Sequence, residues 1–458
     1  MEKISEEELH KLLKTGVRIR EKEINLSNID LENINLARFE NCNFTSPRTH
    51  FTKNPTYENE TITQKINISF KSCSFNDLLI LKINNFENVS FSHIKIAKSI
   101  LIHHSNCNSF NFEDNDNINY HIEILGCDFQ KHFTFTTNTF EKKGKFQLYE
   151  NTFREKTFIT KNTFNDLNIE RQYFKEFLGF KNNFIKDSTS LILNSEFEEV
   201  TFNKSNFSNL TFNKCDFLNT TWFEECEHLD NSKLRFVACK FEKYSLFDNS
   251  KFNKIEILHS KFQEKVSFEN LETNSFKIHQ VTFAEAAYFD DLNKNNNKAI
   301  ENWDRKTLRA IKRELINTHN QIDYLRFKAY ELNAYDKEKG KNCKDQIVLF
   351  FNRHSNYFGL DWTRGVCFIF ITSFSFYLLY LITFIIAIEN TLFLPKTFED
   401  FSVIYIKFLN PFSFLKTPIP EADEYFFPLL LLNLSKIFVS YGIYQTIQAF
   451  RKFGVNGG

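Results

Sequence analysis

Large apolar residues recur at every fifth position from Phe197 through Phe202, Phe207, Phe212 and Phe217 to Trp222, in the stretch EFEEVTFNKSNFSNLTFNKCDFLNTTW. A period of five matches neither the 3.6-residue turn of a helix nor the two-residue alternation of a plain strand. Two places before these rings stand Ser195, Val200, Ser205, Leu210, Cys215 and Thr220, which are mostly small or β-branched. Positions two apart on an extended chain point to the same face, so each unit offers one small and one large inward side chain. The remaining three positions are mostly Asn, Lys, Glu or Asp and turn outward or make a corner. The pattern predicts short β sides joined by bends, which wind the chain around its own aromatic core.

The spacing is also present near the start, where INLSNIDLENINLAR contains Ile24-Asn25-Leu26, Ile29-Asp30-Leu31 and Ile34-Asn35-Leu36. It returns when Cys239-Lys240-Phe241 leads to Leu246, and then at Phe252, Ile257 and Phe262, with Ser250, Ile255 and Ser260 two residues back. These units resemble the pentapeptide-repeat family. The resemblance implies a right-handed quadrilateral β-helix with four five-residue sides per coil, reaching from about Ile24 to Asp290. Residues twenty apart would then stack, placing Phe197 under Phe217 and Phe202 under Trp222. Between residues 45 and 190 the Phe spacing is irregular, and TSPRTHFTKNPTYENETITQK predicts a looped insertion. Coiling over most of this length gives ~13 turns and, at ~4.8 Å per strand, a rod about 60 Å long.

The flanking segments carry other periods. MEKISEEELHKLLKTG is acidic and amphipathic; it predicts a capping helix within residues 1–22 and lacks the apolar stretch of a secretory signal. The β-helix is expected over 23–292. Over 298–345 the apolar residues Ile300, Trp303, Leu308, Ile311 and Leu315, then Ile322, Leu325 and Leu332, predict a helical hairpin that covers the last coil. Arg305, Lys306, Arg309, Lys312 and Arg313 crowd its first helix, either as a solvated face or against anionic headgroups. A membrane domain is expected over 346–458. Its uncharged run from Val366 to Ile388 is long enough to span, since about 20 residues suffice. A second span is predicted from Phe426 to Ile447, and the segment near 398–415 reads as an interfacial or re-entrant helix. Arg353 and Arg364 precede the first span and Arg451-Lys452 follow the second, whereas the loop between them is rich in acids. The positive-inside rule therefore puts both termini in the cytoplasm, and the family resemblance implies a bacterial inner membrane. The expected fold class is mainly β solenoid, followed by an α-helical hairpin and two transmembrane α-helices.

Composition adds little to this. Phe is abundant at 56 residues, and Lys+Arg and Asp+Glu tie at 57 each, which argues against a nucleic-acid partner. Of nine cysteines, Cys42, Cys73, Cys127, Cys215 and Cys239 fall in Cys-x-Phe units, where a free thiol packs as a small inward hydrophobe. There is no C-x-x-C pair, and His103-His104 have no partner at ligand spacing, so no metal or cofactor is expected. No nucleophile elbow, phosphate loop or H-E-x-x-H motif occurs, so no catalytic residue is expected and an enzyme is not.

The second span carries the candidate site. Lys436 falls near its centre, with Asn433, Ser440 and Tyr444 on the same helical side. A mid-bilayer lysine costs roughly 2.5–3.5 kcal/mol and normally faces a bundle interior or water; otherwise the helix shifts or tilts so that the amine snorkels or pairs. The four residues are candidate pore-lining positions in a homo-oligomer, because two helices alone cannot enclose a channel. The plan of helix, short segment, helix resembles two-span ion channels, but no T-x-G-Y-G filter is present and potassium selectivity is not supported. The expected function is a homo-oligomeric pore or channel-like effector in membrane lipid, gated or organised by its β-helix. The alternatives are a membrane-anchored scaffold whose β-helix binds a protein partner and, ranked last, a DNA mimic acting on topoisomerases.

Overall fold

The computed structural model describes residues 1–450, apart from 27, 32–33, 35, 47, 53–65, 83–84, 339, 341, 389–396, 413–417, 420–421 and 423–424. The chain divides into two units, Met1–Thr307 and the remainder. The first is a β-solenoid over residues 2–288, with about twelve turns of about twenty-one residues. Its strands form three sheets in which each strand pairs in parallel with its counterparts one turn away. The solenoid starts earlier than the spacing suggested, because Glu2–Lys3 pairs with Lys22–Glu23 and Ile19–Arg20 with Phe39–Glu40. Helix α1 (Glu6–Thr15) buries Leu9 and Leu13 beside this first coil. The Ser5 hydroxyl accepts from Glu8 N at 3.3 Å to start α1, and Gly16 ends it at φ 67°.

The centre is a column of rings. Phe217 stacks on Phe197 at 5.1 Å and on Phe241 at 4.5 Å, and Phe241 continues to Phe262 at 4.4 Å. Such offset stacks add about 0.5–1.5 kcal/mol per pair beyond burial. The spacing of twenty holds only locally. Phe197 pairs with Phe217, but Val200 lies beside Thr221 and Thr201 beside Trp222, so Leu218–Thr220 holds one residue more than Glu198–Glu199 does on the preceding turn. Phe202 therefore stacks on Phe223 at 4.6 Å rather than on Trp222, which is turned half outward. Phe207 and Phe212 are buried, and Phe212 stacks on Phe236 at 5.0 Å.

The middle of the chain, with its irregular Phe spacing, coils like the rest. Asn85–Ser92 pairs with Ile66–Lys71 on one side and Asn106–Glu113 on the other, and Arg48–Thr52 pairs with Leu78–Lys82. Shifts in register near Phe86/Asn88, Cys107/Ser109 and Phe174/Phe177 absorb the extra residues that hide the period. The expected looped insertion falls largely on residues 53–65, outside the described residues.

Each coil turns through left-handed corners held mostly by non-glycine residues, in one column by Asn41, Ser72, His93, Asp114, Thr137, Lys161 and Asn182. The residue after such a corner points inward, and this generates polar ladders that five-residue periodicity did not reveal. In one, the Asn138 side-chain oxygen accepts from Asn115 N at 3.1 Å and Asn162 Oδ1 accepts from Asn138 N at 3.0 Å. Asn183 Oδ1 accepts next from Asn162 N at 2.9 Å, and the Ser205 hydroxyl from Asn183 N at 3.1 Å. A second ladder runs from Cys127 N to Asn151, from Asn151 N to Gln172 and from Gln172 N to Ser195. These side chains occupy the small inward site and satisfy backbone groups that would otherwise be buried without a partner.

Seven cysteines lie in the same environment. Cys42, Cys73, Cys107, Cys127, Cys215, Cys226 and Cys239 are buried and free, whereas Cys343 and Cys367 are exposed. Burial pushes the thiols of Cys127 and Cys226 up to about 12, so both stay protonated at neutral pH. Maleimide at mild pH should therefore label Cys343 rapidly. The two core thiols should stay silent until denaturant is added, as read by peptide mass spectrometry, and prompt labelling of Cys127 in folded protein would contradict the packing.

The last coil is closed by the start of the helical segment. Helix α2 (Asn297–Ile300) follows the solenoid, the Trp303 indole donates to Asn274 O at 3.2 Å, and the Thr307 hydroxyl accepts from Ile278 N at 2.9 Å. The continuous first helix expected from Ile300 onward is broken here. Asp304 accepts from Thr307 N at 3.0 Å and starts a new helix, α3 (Arg305–Asn317). Helix α4 (Gln321–Lys337) follows. Much of the basic cluster is neutralised within the chain: Glu331 takes Arg309 at 3.0 Å and also Lys312, and Glu314 takes Arg313 at 3.1 Å.

Candidate functional site

The second unit contains α5 (Cys343–Asn356), α6 (Trp362–Ile388), α7 (Phe398–Leu409) and α8 (Phe426–Phe450). Helices α6 and α8 are long and apolar enough to cross a membrane; at 1.5 Å per residue each extends about 40 Å. Charge is nearly absent from both, Arg364 and Lys436 being the exceptions.

The two helices pack antiparallel. Gly365 faces Thr446, Gly442 faces Ile369, and Phe376 meets Phe438 at 5.4 Å, so position rises on one helix as it falls on the other. The glycines set the separation: a Cβ on Gly442 would stand 2.5 Å from Ile369 Cγ1, and one on Gly365 would stand 2.3 Å from Thr446 Oγ1. Small residues let helix backbones approach where lipid offers no hydrophobic drive. At one end of the pair Trp362 stacks on Phe450 at 5.1 Å. The outward surface carries Ile371, Ile382 and Ile386 on α6 and Phe427, Ile437 and Ile447 on α8, all exposed. A continuous apolar surface of this kind calls for lipid or another subunit.

The segment between the two helices forms α7, opened by a capping box between Thr397 and Asp400. It lies against the middle of α6, with Tyr377 ringed by Phe401, Tyr405 and Phe408 at 5.0–5.4 Å. Two hydroxyl bonds fix it: Tyr377 donates to Phe401 O at 3.1 Å, and Ser373 and Tyr405 share a bond at 2.7 Å. Tyr380, Leu381 and Phe384 of α6, Phe408 of α7, Leu432 of α8, and Ile419 and Ala422 from the connection before α8 complete this core.

A second polar joint ties α5 to α8. Asn356 donates to Gln445 O at 3.1 Å and also meets the Gln445 side chain, while Asn352 Oδ1 accepts from Tyr441 at 3.0 Å and from Gln445 Nε2 at 3.3 Å. Phe351 packs on Phe438 and Tyr441 at 5.8 and 5.9 Å. Sequence reasoning missed this joint; its only sign was two amides four residues apart, Asn352 and Asn356, in a short amphipathic stretch.

The four candidate lining residues fall in different environments within one chain. Lys436 is 1% exposed, on the side of α8 that also buries Leu432, Ser435 and Val439. Asn433 is half-buried and donates to Leu429 O at 2.8 Å, whereas Ser440 and Tyr444 are exposed. The stripe thus runs from the packed face of α8 at Lys436 to its open face at Tyr444. Among the described residues, no group of three or more His, Cys, Asp or Glu side chains is arranged to hold a metal. Compared with protein-family models, curated proteins and solved structures, the chain finds no match.

Proposed function

We propose that the chain is a membrane protein whose α6–α8 module assembles with further copies into a pore, carried by a cytoplasmic β-solenoid of the pentapeptide-repeat kind. The observation that supports this most is Lys436: an ammonium group sits in the middle of an otherwise uncharged helix, on its packed side. An amine at that depth is tolerated where it meets water or a polar partner. Ser440 and Tyr444, exposed on the adjoining side, extend a polar path that a neighbouring copy would complete. Both chain ends lie on the cytoplasmic side in this reading, in keeping with the antiparallel helix pair and the basic flanks.

Purified protein in liposomes is expected to pass small ions, and Lys436→Glu to shift its preference from anions towards cations by about tenfold. Liposomes that contain the intact oligomer and remain tight would refute the pore. A scaffold role has its own support in the twelve-turn solenoid, whose outward faces form an extended surface. Replacing α6–α8 by an unrelated anchor would preserve activity in that case and abolish it for a pore.

A further inference from the structure

The outward charges on the solenoid's thirteen-stranded sheet are unevenly distributed. Over the strands His121–Leu125, Lys145–Tyr149 and Asp166–Glu170, Glu123, Asp166 and Glu170 stand against Lys145, which pairs with Asp166 at 3.2 Å, and the later strand Asn206–Asn213 presents Asn209 and Thr211. The last three coils differ. Glu256 alone receives Lys233 at 2.9 Å, Arg235 at 3.2 Å and Lys254 at 3.1 Å, and exposed Lys277 stands directly opposite it on the next strand. Three cations thus share one carboxylate, with a fourth beside it in the register. The register also sets Lys233 directly opposite Lys254, and like charges so placed on neighbouring strands are destabilising. Glu256 is only 8% exposed, while the three cations that hold it remain a third or more exposed. The carboxylate is therefore consumed within the sheet, and the positive charge faces out.

We infer that this cationic face docks on the anionic phospholipid headgroups of the bilayer that α6 and α8 enter. Charge complementarity selects the occupant, since juxtamembrane basic clusters are drawn to a negatively charged leaflet. These coils are also the part of the solenoid nearest in sequence to the apolar helices. The inference rests on the membrane reading given above, and docking of this kind would hold the solenoid against the bilayer surface.

Full-length protein would be reconstituted in nanodiscs of phosphatidylcholine, with or without phosphatidylglycerol, and its lysines acetylated and quantified by mass spectrometry. With the anionic lipid, Lys233, Lys254 and Lys277 are expected to react about tenfold more slowly, Lys98 and Lys145 at unchanged rates, and high salt to abolish the difference. Equal rates in both discs, or equal protection of Lys98 and Lys145, would overturn the proposal. Protection by a soluble oligonucleotide but not by the anionic disc would overturn the lipid assignment. Alkaline carbonate separates the two readings: retention of the chain in liposomes with unprotected lysines sinks only the docking face, whereas extraction of the chain sinks the membrane reading and the docking face with it.

Discussion

Exchanging Asn138 for leucine is expected to cost the solenoid about 3–5 kcal/mol, although the two side chains are similar in size. Asn138 is fully buried, and its oxygen accepts from both the backbone and the side-chain nitrogen of Asn115, at 3.1 and 3.0 Å. Its own amide donates to Phe112 O and to Asn162 Oδ1, both at 3.0 Å. Leucine removes all four bonds and leaves at least two buried groups without a partner, each costing about 1–3 kcal/mol. Thermal melts followed by circular dichroism should shift down by several degrees, and hydrogen exchange should quicken first in the strands on either side. Asn88→Ala is the control: its amide bonds Asn67 at 2.6 Å on the exposed outer face, where a change of about 0.5 kcal/mol or less is expected. Similar shifts for both variants would show that the inner ladder contributes nothing special.

Gly442→Leu should part the two apolar helices. The added Cβ would meet Ile369 and Phe368 at 2.5 and 3.3 Å, with the rest of the leucine still to be placed. Overpacking of that order costs about 1–3 kcal/mol where neighbours can move, and Gly365 opposite Thr446 leaves the nearby contact equally little slack. A Phe376→Cys, Phe438→Cys pair, built where the rings lie 5.4 Å apart, should be bridged by a short bifunctional thiol reagent in the otherwise native chain. The Gly442→Leu background should lose this cross-link, together with any ion flux. Retained cross-linking at the native rate would mean that the glycine does not set the helix spacing.

The fold was readable in the sequence where bulk repeats strictly, and less so where it does not. Phe197 and Phe217 announced the solenoid because both are large and twenty residues apart. Trp222 misled because the extra corner residue before Thr221 cannot be seen in a list of spacings; it displaced Trp222 and gave its place in the column to Phe223. The middle coils, part of the expected β-helix, gave a weaker signal because β-branched and aliphatic residues such as Ile68 and Val89 occupy inward positions there. The polar ladders had a visible sign, the tripeptide Asn-Thr-Phe beginning at Asn138, Asn151 and Asn162. Periodicity of apolar residues alone passes over it, since asparagine counts as surface until a backbone partner is identified. In the helical unit, the existence and approximate limits of α6 and α8 followed from composition. Which face of α8 packs on α6 depended on Gly365 and Gly442, and a hydropathy pattern does not distinguish those from any other small residue.

The left-handed corners have one further consequence. They accept Ser, His, Thr and Lys as well as Asn, so a coil copied next to itself would meet no corner that demands glycine. Gene duplication in cassettes of about twenty-one residues would lengthen the shaft in steps of ~4.8 Å. The solenoid is in this sense a ruler whose graduation is set by strand spacing, and selection can adjust the reach between its tips one notch at a time.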